Sequence, residues 1–493
     1  MDLTMPASDV SMRRLSLFPA RKRLSMASLL LAFLFPYLTW EQAAGCALLL
    51  LLFTTLIRPW LRIDLTDRAS RARGVDSAAP GISQTPPGPL LSKGGGTFVP
   101  VAHSDLILVL DKGITLYTIS VLALILLYRH HLYIAAGAWA LMALGDGMAT
   151  VIGEAAGGPS LPWNRQKTWA GFASFAVAGM LGAYILTRWI APQIPSDKTL
   201  IVCAAAALLG AVLESLPLSL DDNITVPLVV GAFMFCAYLM ERSALDSNLP
   251  YLGRRMVLAI AMNLVFALLA RAFGAASRSG AICGSLLGTA IYLGYGYKSF
   301  LLLFAFVFLG SVATRVGFAK KAARGVAERR GGARSWREAL ANLLAPALLA
   351  VLVITTHHEP ACLIALVAAL AEAAGDTVSS EIGQWASDRA YLITTFKLVP
   401  AGEDGGVSLP GTAAGLAAST ILMGLGMGLG LCGPYRFAGP AIALAAAGVG
   451  NLLDSFLGAT LQRRGLVTNG MVNFAGTSVA GMLALGLALH LGL

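Results

Sequence analysis

Runs of apolar residues long enough to cross a bilayer recur along nearly the whole chain, and no other feature limits its fold so strongly. Residues 106–128, 133–152, 169–190, 256–273 and 339–355 are examples. The sequence predicts about 13 to 15 such segments, each near the ~17–25 residues that a membrane-crossing helix needs. Buried backbone amides must be satisfied inside the segment, and these runs are too long and too uniformly apolar for barrel strands. Composition agrees: 57% of the 493 residues are hydrophobic and 13% are charged, about half the share of an ordinary soluble domain. The expected fold is all-α, a polytopic integral membrane protein of two fused helical bundles.

In such a chain a net charge of +10 does not point to nucleic acid. Lys and Arg gather in cytoplasmic loops by the positive-inside rule. The basic start (Arg13, Arg14, Arg21, Lys22, Arg23) precedes an apolar run with no small-residue cleavage site after it. It reads as a retained anchor with a cytoplasmic N-terminus. The expected location is a bacterial inner membrane, with the active sites facing the cytoplasm. Six scattered cysteines form no CxxC or His-Cys cluster, which argues against structural zinc and a disulfide framework. The paired histidines His130/His131 and His357/His358 end apolar runs and read as interfacial.

Three stretches break the pattern: a Pro-, Gly- and Ser-rich loop over about 58–104, a basic loop at 317–338, and a mixed charged and glycine-bearing stretch at 384–406. A weaker break lies at 241–255. These give an anchor and linker at 1–104, one transmembrane domain at 105–250 and another at 251–493. A short echo links the halves: Gly145-Asp146 is followed by Ile152-Gly153, and Gly375-Asp376 by Ile382-Gly383, at the same offset. Shared ancestry and repeated use of one kind of site both explain it.

Charged side chains at membrane depth cost several kcal/mol unless paired, so each marks a candidate site. In the first half, Asp146, Thr150 and Gly153 share a helix face, with Glu154 about 80° round. Arg165, Lys167 and Thr168 open the next helix, whose N-terminal amides suit phosphate oxygens. Glu214, Asp222 and Asn223 offer oxygen ligands for Mg²⁺; an ordinary capped turn explains Asp222 and Asn223 equally well. A structural Arg pairing is the rival account of Asp146.

Asp146-Gly147, Lys167-Thr168…Gly171, Glu214 and Asp222-Asn223…Pro227 resemble the dolichol kinase/phytol kinase family, over about residues 105–245. Ala170 stands where many relatives carry Glu. The resemblance implies CTP-dependent phosphorylation of an isoprenoid alcohol.

The second half is denser. Glu372 and Asp376 lie one turn apart, and two carboxylates so close repel unless a cation intervenes. Gly405, Gly406 and Ser408 form a glycine-rich turn whose amides could cradle phosphate. Asn451, Asp454, Ser455, Gly458 and Gln462 make a polar stripe on an apolar helix; contact between helices is the alternative to an ion or phosphate site. Arg329-Arg330-Gly-Gly-Ala-Arg334, Asn342, Asp376…Ser380-Glu381-Ile-Gly383, Gly405-Gly406-Val-Ser408, Asn451…Asp454…Gly458…Gln462 and Asn473-Phe474 resemble the transmembrane phytyl-phosphate kinases and their uncharacterised relatives, from about 255 onward. Val378 replaces a usual Trp, and Glu403-Asp404 a usual Thr-Asn.

Together the resemblances imply a bifunctional prenol kinase that makes first the monophosphate and then the diphosphate, by in-line phosphoryl transfer governed by positioning and charge. Mg²⁺ and CTP, or another nucleoside triphosphate, are the implied cofactors. In the first half Asp146, Glu154, Glu214, Asp222 and Asn223 are candidate metal ligands. Lys167, Arg165 and Thr168 would meet phosphate, and Asp146 would be the base. In the second half Asp376, Glu381 and Asp454 would serve the metal. Arg329, Arg330, Arg334, Lys397, Gly405, Gly406, Ser408 and Asn451 would contact nucleotide or acceptor phosphate. The expected partners are the lipid bilayer, the isoprenoid alcohol and its monophosphate, and nucleotide; nucleic acid is not among them, and a homodimer is compatible. A transporter of two related halves and a CDP-lipid-forming cytidylyltransferase are the rival classes.

Overall fold

The computed structural model describes residues 26–57, 103–433 and 437–493. The basic start and nearly all of the 58–104 stretch lie outside the described residues, as do the side chains of Arg329 and Arg330. Among the described residues, eleven helices are long and apolar enough to cross a membrane. Three shorter apolar helices, Met26–Tyr37, Trp40–Thr55 and Gly113–Leu127, join them. Fourteen apolar helices against a few short strands make an all-α integral membrane protein. The chain divides into two compact units that part between Phe235 and Cys236.

In the first unit the functional region comprises α1 (His103–Leu127), α2 (Leu132–Ala156), an antiparallel pair β1 (Ser160–Leu161) and β2 (Asn164–Thr168), then α3 (Trp169–Ile190), α4 (Ser196–Ser215) and α5 (Asp222–Leu239). The divide falls within α5. Alanines and glycines let α2 pack closely: Ile134, Ala135, Ala136, Ala138 and Ala140 are all within 1% of full burial.

The second unit runs α6 (Arg242–Ala272), α7 (Arg278–Tyr295), α8 (Tyr297–Arg315), α9 (Phe318–Ala323), α10 (Trp336–Thr355) and α11 (Glu359–Ala386). A small sheet follows, with β3 (Arg389–Leu392) central between β4 (Leu398–Pro400) and β5 (Gly406–Val407), all antiparallel. Then come α12 (Leu409–Gly428), α13 (Ala438–Gln462) and α14 (Asn469–His490). From Ala361 to Ala371 helix α11 is apolar all round, as a helix enclosed by others must be. Helices α8, α10, α12, α13 and α14 pack against it, and every residue from Ala361 to Gly375 is buried.

Both units build the same corner. A Cβ at Gly153 would lie 3.2 Å from Thr168 Oγ1 and 3.3 Å from Gly171 Cα; one at Gly383 would lie 2.9 Å from Ser408 Oγ and 3.5 Å from Gly411 Cα. Thr168 caps α3 by accepting from the Gly171 amide at 3.1 Å, and Ser408 caps α12 by accepting from the Gly411 amide at 3.3 Å. Each cap satisfies a backbone donor that a helix start leaves orphaned. An acid-bearing helix, short strands, a Ser/Thr-capped helix and then a helix with an acid in its C-terminal half thus follow one another in both units. The Gly-Asp…Ile-Gly echo marks this shared construction.

A second parallel lies in the helices themselves. Helix α2 widens into π-helical turns over Leu141–Asp146, and α13 does so over Gly458–Gln462, just past Asp454. Such turns are rare and gather at functional sites.

Candidate active sites

In the first unit the β1–β2 hairpin brings Lys167 to the acids. Trp163 Nε1 donates to Ser215 Oγ at 3.1 Å and the Asn164 amide to the Ser215 carbonyl at 3.1 Å, which ties the hairpin to the end of α4. Lys167 Nζ then donates to Glu214 Oε1. The second Glu214 oxygen is buried without a protein donor, and the Asp222 carboxyl lies within hydrogen-bonding reach of Glu214. Burial alone would lower the Lys167 ammonium. The Glu214 carboxylate, helped by Asp222 and Asp146, outweighs this and holds it above its ordinary range.

A cavity of about 480 Å³ opens here, lined by Trp163, Asn164, Arg165, Gln166, Lys167, Glu214, Leu216, Pro217, Leu218 and Asp222. The structure therefore brings Arg165, Lys167, Glu214 and Asp222 to one place, with Asp146 near enough to act on Lys167 and Asp222 through its charge. It sets Glu154 apart, exposed near the end of α2. Asn223 is buried and donates its amide to Asp221 at 2.6 Å, the arrangement of a capped turn. Thr168 spends its hydroxyl on the cap of α3.

In the second unit Asp376 of α11 and Asp454 of α13 face each other within hydrogen-bonding reach. Two carboxyls so placed need a proton or a cation between them. Asn473 of α14 donates weakly to Asp376 Oδ2 at 3.4 Å and to Asn342 Oδ1 at 3.5 Å. Asp454 Oδ2 and Asn473 Oδ1 are buried and take no donor. Arg334 lies close enough to act on Asp376 through its charge.

Glu381 has a different role from the metal ligand expected of it. Lys321 Nζ donates to its Oε2 at 2.5 Å, Thr314 Oγ1 donates to its Oε1 at 2.8 Å, and Arg334 Nη2 stands 3.6 Å away. Its charge is already matched by the protein. The glycine turn is likewise explained by packing. A Cβ at Gly405 would sit 2.3 Å from the Ala459 amide nitrogen, Gly405 has φ +74°, and the Gly406 amide donates to Glu403 O at 2.9 Å. Lys397 is exposed on the hairpin, and Asn451 donates to the Ala447 carbonyl of its own helix at 3.2 Å.

Glu372 is the residue that sequence reasoning left out of the site. It is 1% exposed, neither carboxyl oxygen receives a donor, and it presses on the glycines Gly450 and Gly476 of the two neighbouring helices. An acid deep in an apolar helix was the available signal. Among the described residues, no three His, Cys, Asp or Glu side chains converge to hold a metal alone. Mg²⁺ characteristically uses one or two carboxylates, waters and substrate phosphates. The Asp376–Asp454 pair, with Asp454 Oδ2 buried and undonated, fits that habit.

The family model of the integral membrane protein DUF92 matches residues 261–481, the stretch that holds this acid pair. An uncharacterised membrane protein of Methanocaldococcus jannaschii is 34% identical over 232 residues, which cover 46% of this chain and 92% of the relative. The chain belongs to the DUF92 family. Another relative, an uncharacterised membrane protein of Synechocystis, is 37% identical over 206 residues, 41% of this chain and 78% of its own length. The DUF92 chain is also 37% identical over 216 residues to Protein VTE6, chloroplastic, of Arabidopsis thaliana, 42% of this chain and 64% of that one. A probable phytol kinase of Glycine max is 31% identical over 150 residues, 29% of this chain; the chain spans about half of that kinase's length. No solved structure matches.

Proposed function

We propose that the chain is a membrane kinase of isoprenoid alcohols, its first unit forming the prenyl monophosphate and its second the diphosphate. One observation carries the reading: among the described residues Asp376 and Asp454 lie close enough to act on each other and neither forms an ion pair, while Glu381, on the same helix as Asp376, is matched by Lys321. Similarity to a probable phytol kinase supports the substrate class.

In each transfer the bond from the donor's terminal phosphorus to the nucleoside diphosphate breaks, and a bond to the acceptor oxygen forms. Mg²⁺ would supply charge neutralisation of the triphosphate, held by Asp376 and Asp454 in one unit and by Glu214, Asp222 or Asp146 in the other. Lys167 and Arg165 meet phosphate oxygens in the first cavity, and Asp146 accepts the proton of the alcohol. The acceptor phosphate of the second step brings an ionised oxygen and needs no base. Basic residues beside both sites support a cytoplasmic orientation for them by the positive-inside rule.

The assay presents purified protein with phytol or phytyl phosphate, γ-labelled CTP and Mg²⁺. Label in both phosphates supports the reading, and label in one product confines the activity to one unit. A CDP-lipid with released pyrophosphate would replace it with a cytidylyltransferase. The repeated corner of the two units favours one other reading, a transporter; absence of turnover with either acceptor would leave that reading in its place.

A further inference from the structure

We infer that the second unit seats the hydrocarbon tail of an anionic isoprenoid lipid in a narrow cavity walled by α6, α7, α8 and α10. The identity of the head group rests on the kinase reading; the tail slot rests on the following geometry.

The cavity holds about 110 Å³, enough for the first few carbons of a chain and not for twenty. Its wall is largely apolar, with Phe266 and Ala270 on α6, Gly284 on α7 and Phe306 on α8. A Cβ at Gly284 would meet nothing within 4 Å, so the protein leaves this space unfilled, although cores ordinarily close such gaps. The polar stations include Arg334, Asn342 and Thr377. Thr377 follows Asp376 in sequence, and Asn342 is joined to Asp376 through Asn473. A lipid with its first carbons in the slot and its head at these groups would present a terminal phosphate beside the acid pair.

Charge supports this polarity. Arg334 is bound by Glu328 at 2.8 Å through a contact that is one-third exposed on each side, and a doubly charged phosphate can displace such a carboxylate. The outer faces of the walls suit the bilayer: Val257 is 76% exposed, Leu268 61%, Ile282 65% and Leu286 70%. The remaining carbons of a long chain would run out along these faces into lipid.

The test uses the full chain in lipid nanodiscs and a twenty-carbon prenyl monophosphate carrying a diazirine on its first isoprene unit. Crosslinks mapped by mass spectrometry are expected on α6, α7 and α8, competed by unlabelled prenyl monophosphate and not by inorganic phosphate. Gly284→Leu should fill the slot, weaken crosslinking and raise KM for the long acceptor about ten-fold more than for a five-carbon monophosphate. Ala281→Leu, on the same wall, is the second variant should the first fail to fold. Gly424→Leu, a glycine with equally open surroundings outside the cavity, controls for the substitution itself. Crosslinks elsewhere from a protein that phosphorylates the probe would overturn the slot and leave the kinase reading intact. Crosslinks in the slot from a protein that phosphorylates nothing would uphold the slot and overturn the kinase reading. Competition by inorganic phosphate alone would mean an anion site without a tail slot, which also overturns the inference.

Discussion

Lys321 and Glu381 meet at 2.5 Å with side chains 0% and 4% exposed. The lysine also donates to the carbonyls of Ala313 and Thr314 at 3.2 and 3.0 Å, at the end of α8, where the helix dipole favours a cation. The pair therefore ties the basic loop to the central helix. Removing one partner leaves a buried charge, at a cost of about 3–5 kcal/mol, whereas replacing both with apolar residues is often neutral. Lys321→Met should accordingly lower the melting temperature in detergent far more than Lys321→Met with Glu381→Leu. Equal melting of the two would refute the assigned role.

Asp454→Asn and Asp376→Asn should each slow the second phosphorylation by about 10²–10³-fold, the usual loss when a charge-stabilising group is removed. The first phosphorylation should survive both changes, and Lys167→Met should show the converse. Separate product analysis with phytol and phytyl phosphate reads this directly. Loss of both steps from any one change would contradict two independent centres.

The two helix caps should behave alike. Ser408→Ala and Thr168→Ala each remove a hydroxyl that accepts a helix amide, costing about 1 kcal/mol. Exchanging the cap residues, Ser408→Thr and Thr168→Ser, should restore most of that loss. Denaturation of the variants in detergent gives the comparison, and a loss in only one unit would break the parallel.

The Lys167–Glu214 contact carries a pH signature. Because the folded-state pKa of Lys167 is raised, its contribution is fully present below the ordinary lysine value of 10.5 and fades as pH rises through the folded value. Stability of the wild type relative to Lys167→Met should stay flat between about pH 7 and 10 and converge above that. A fall between pH 7 and 9 would mean that the ammonium is not held as described.

Much of this was readable in advance because it is local. Apolar run length gives the spans, and helical spacing gives the Asn451–Asp454 stripe and the Glu372–Asp376 pair. What could not be read depended on distant segments meeting. Glu381 looked like a ligand from its own helix, but its partner lies 60 residues upstream in a loop that folds back on α11. Gly405 looked like a phosphate cradle because glycine turns are open; here Ala459 fills that space. Glu154 follows Asp146 closely in sequence, yet the last turn of α2 carries it into exposure.

The widened turns at Leu141–Asp146 and Gly458–Gln462 leave each functional helix one residue out of step with an ordinary α-helical count. A length change there would therefore act as a local rotary adjustment. Excising a single residue such as Ala143 would return the turn to ordinary α-helix and re-aim the side chains within it, while the helix beyond keeps its facing. The Asp146 carboxyl would then shift relative to Lys167 while almost every other side chain in the span stayed greasy enough for the membrane. Relatives that differ by one residue at these points would be expected to keep the scaffold and lose the chemistry.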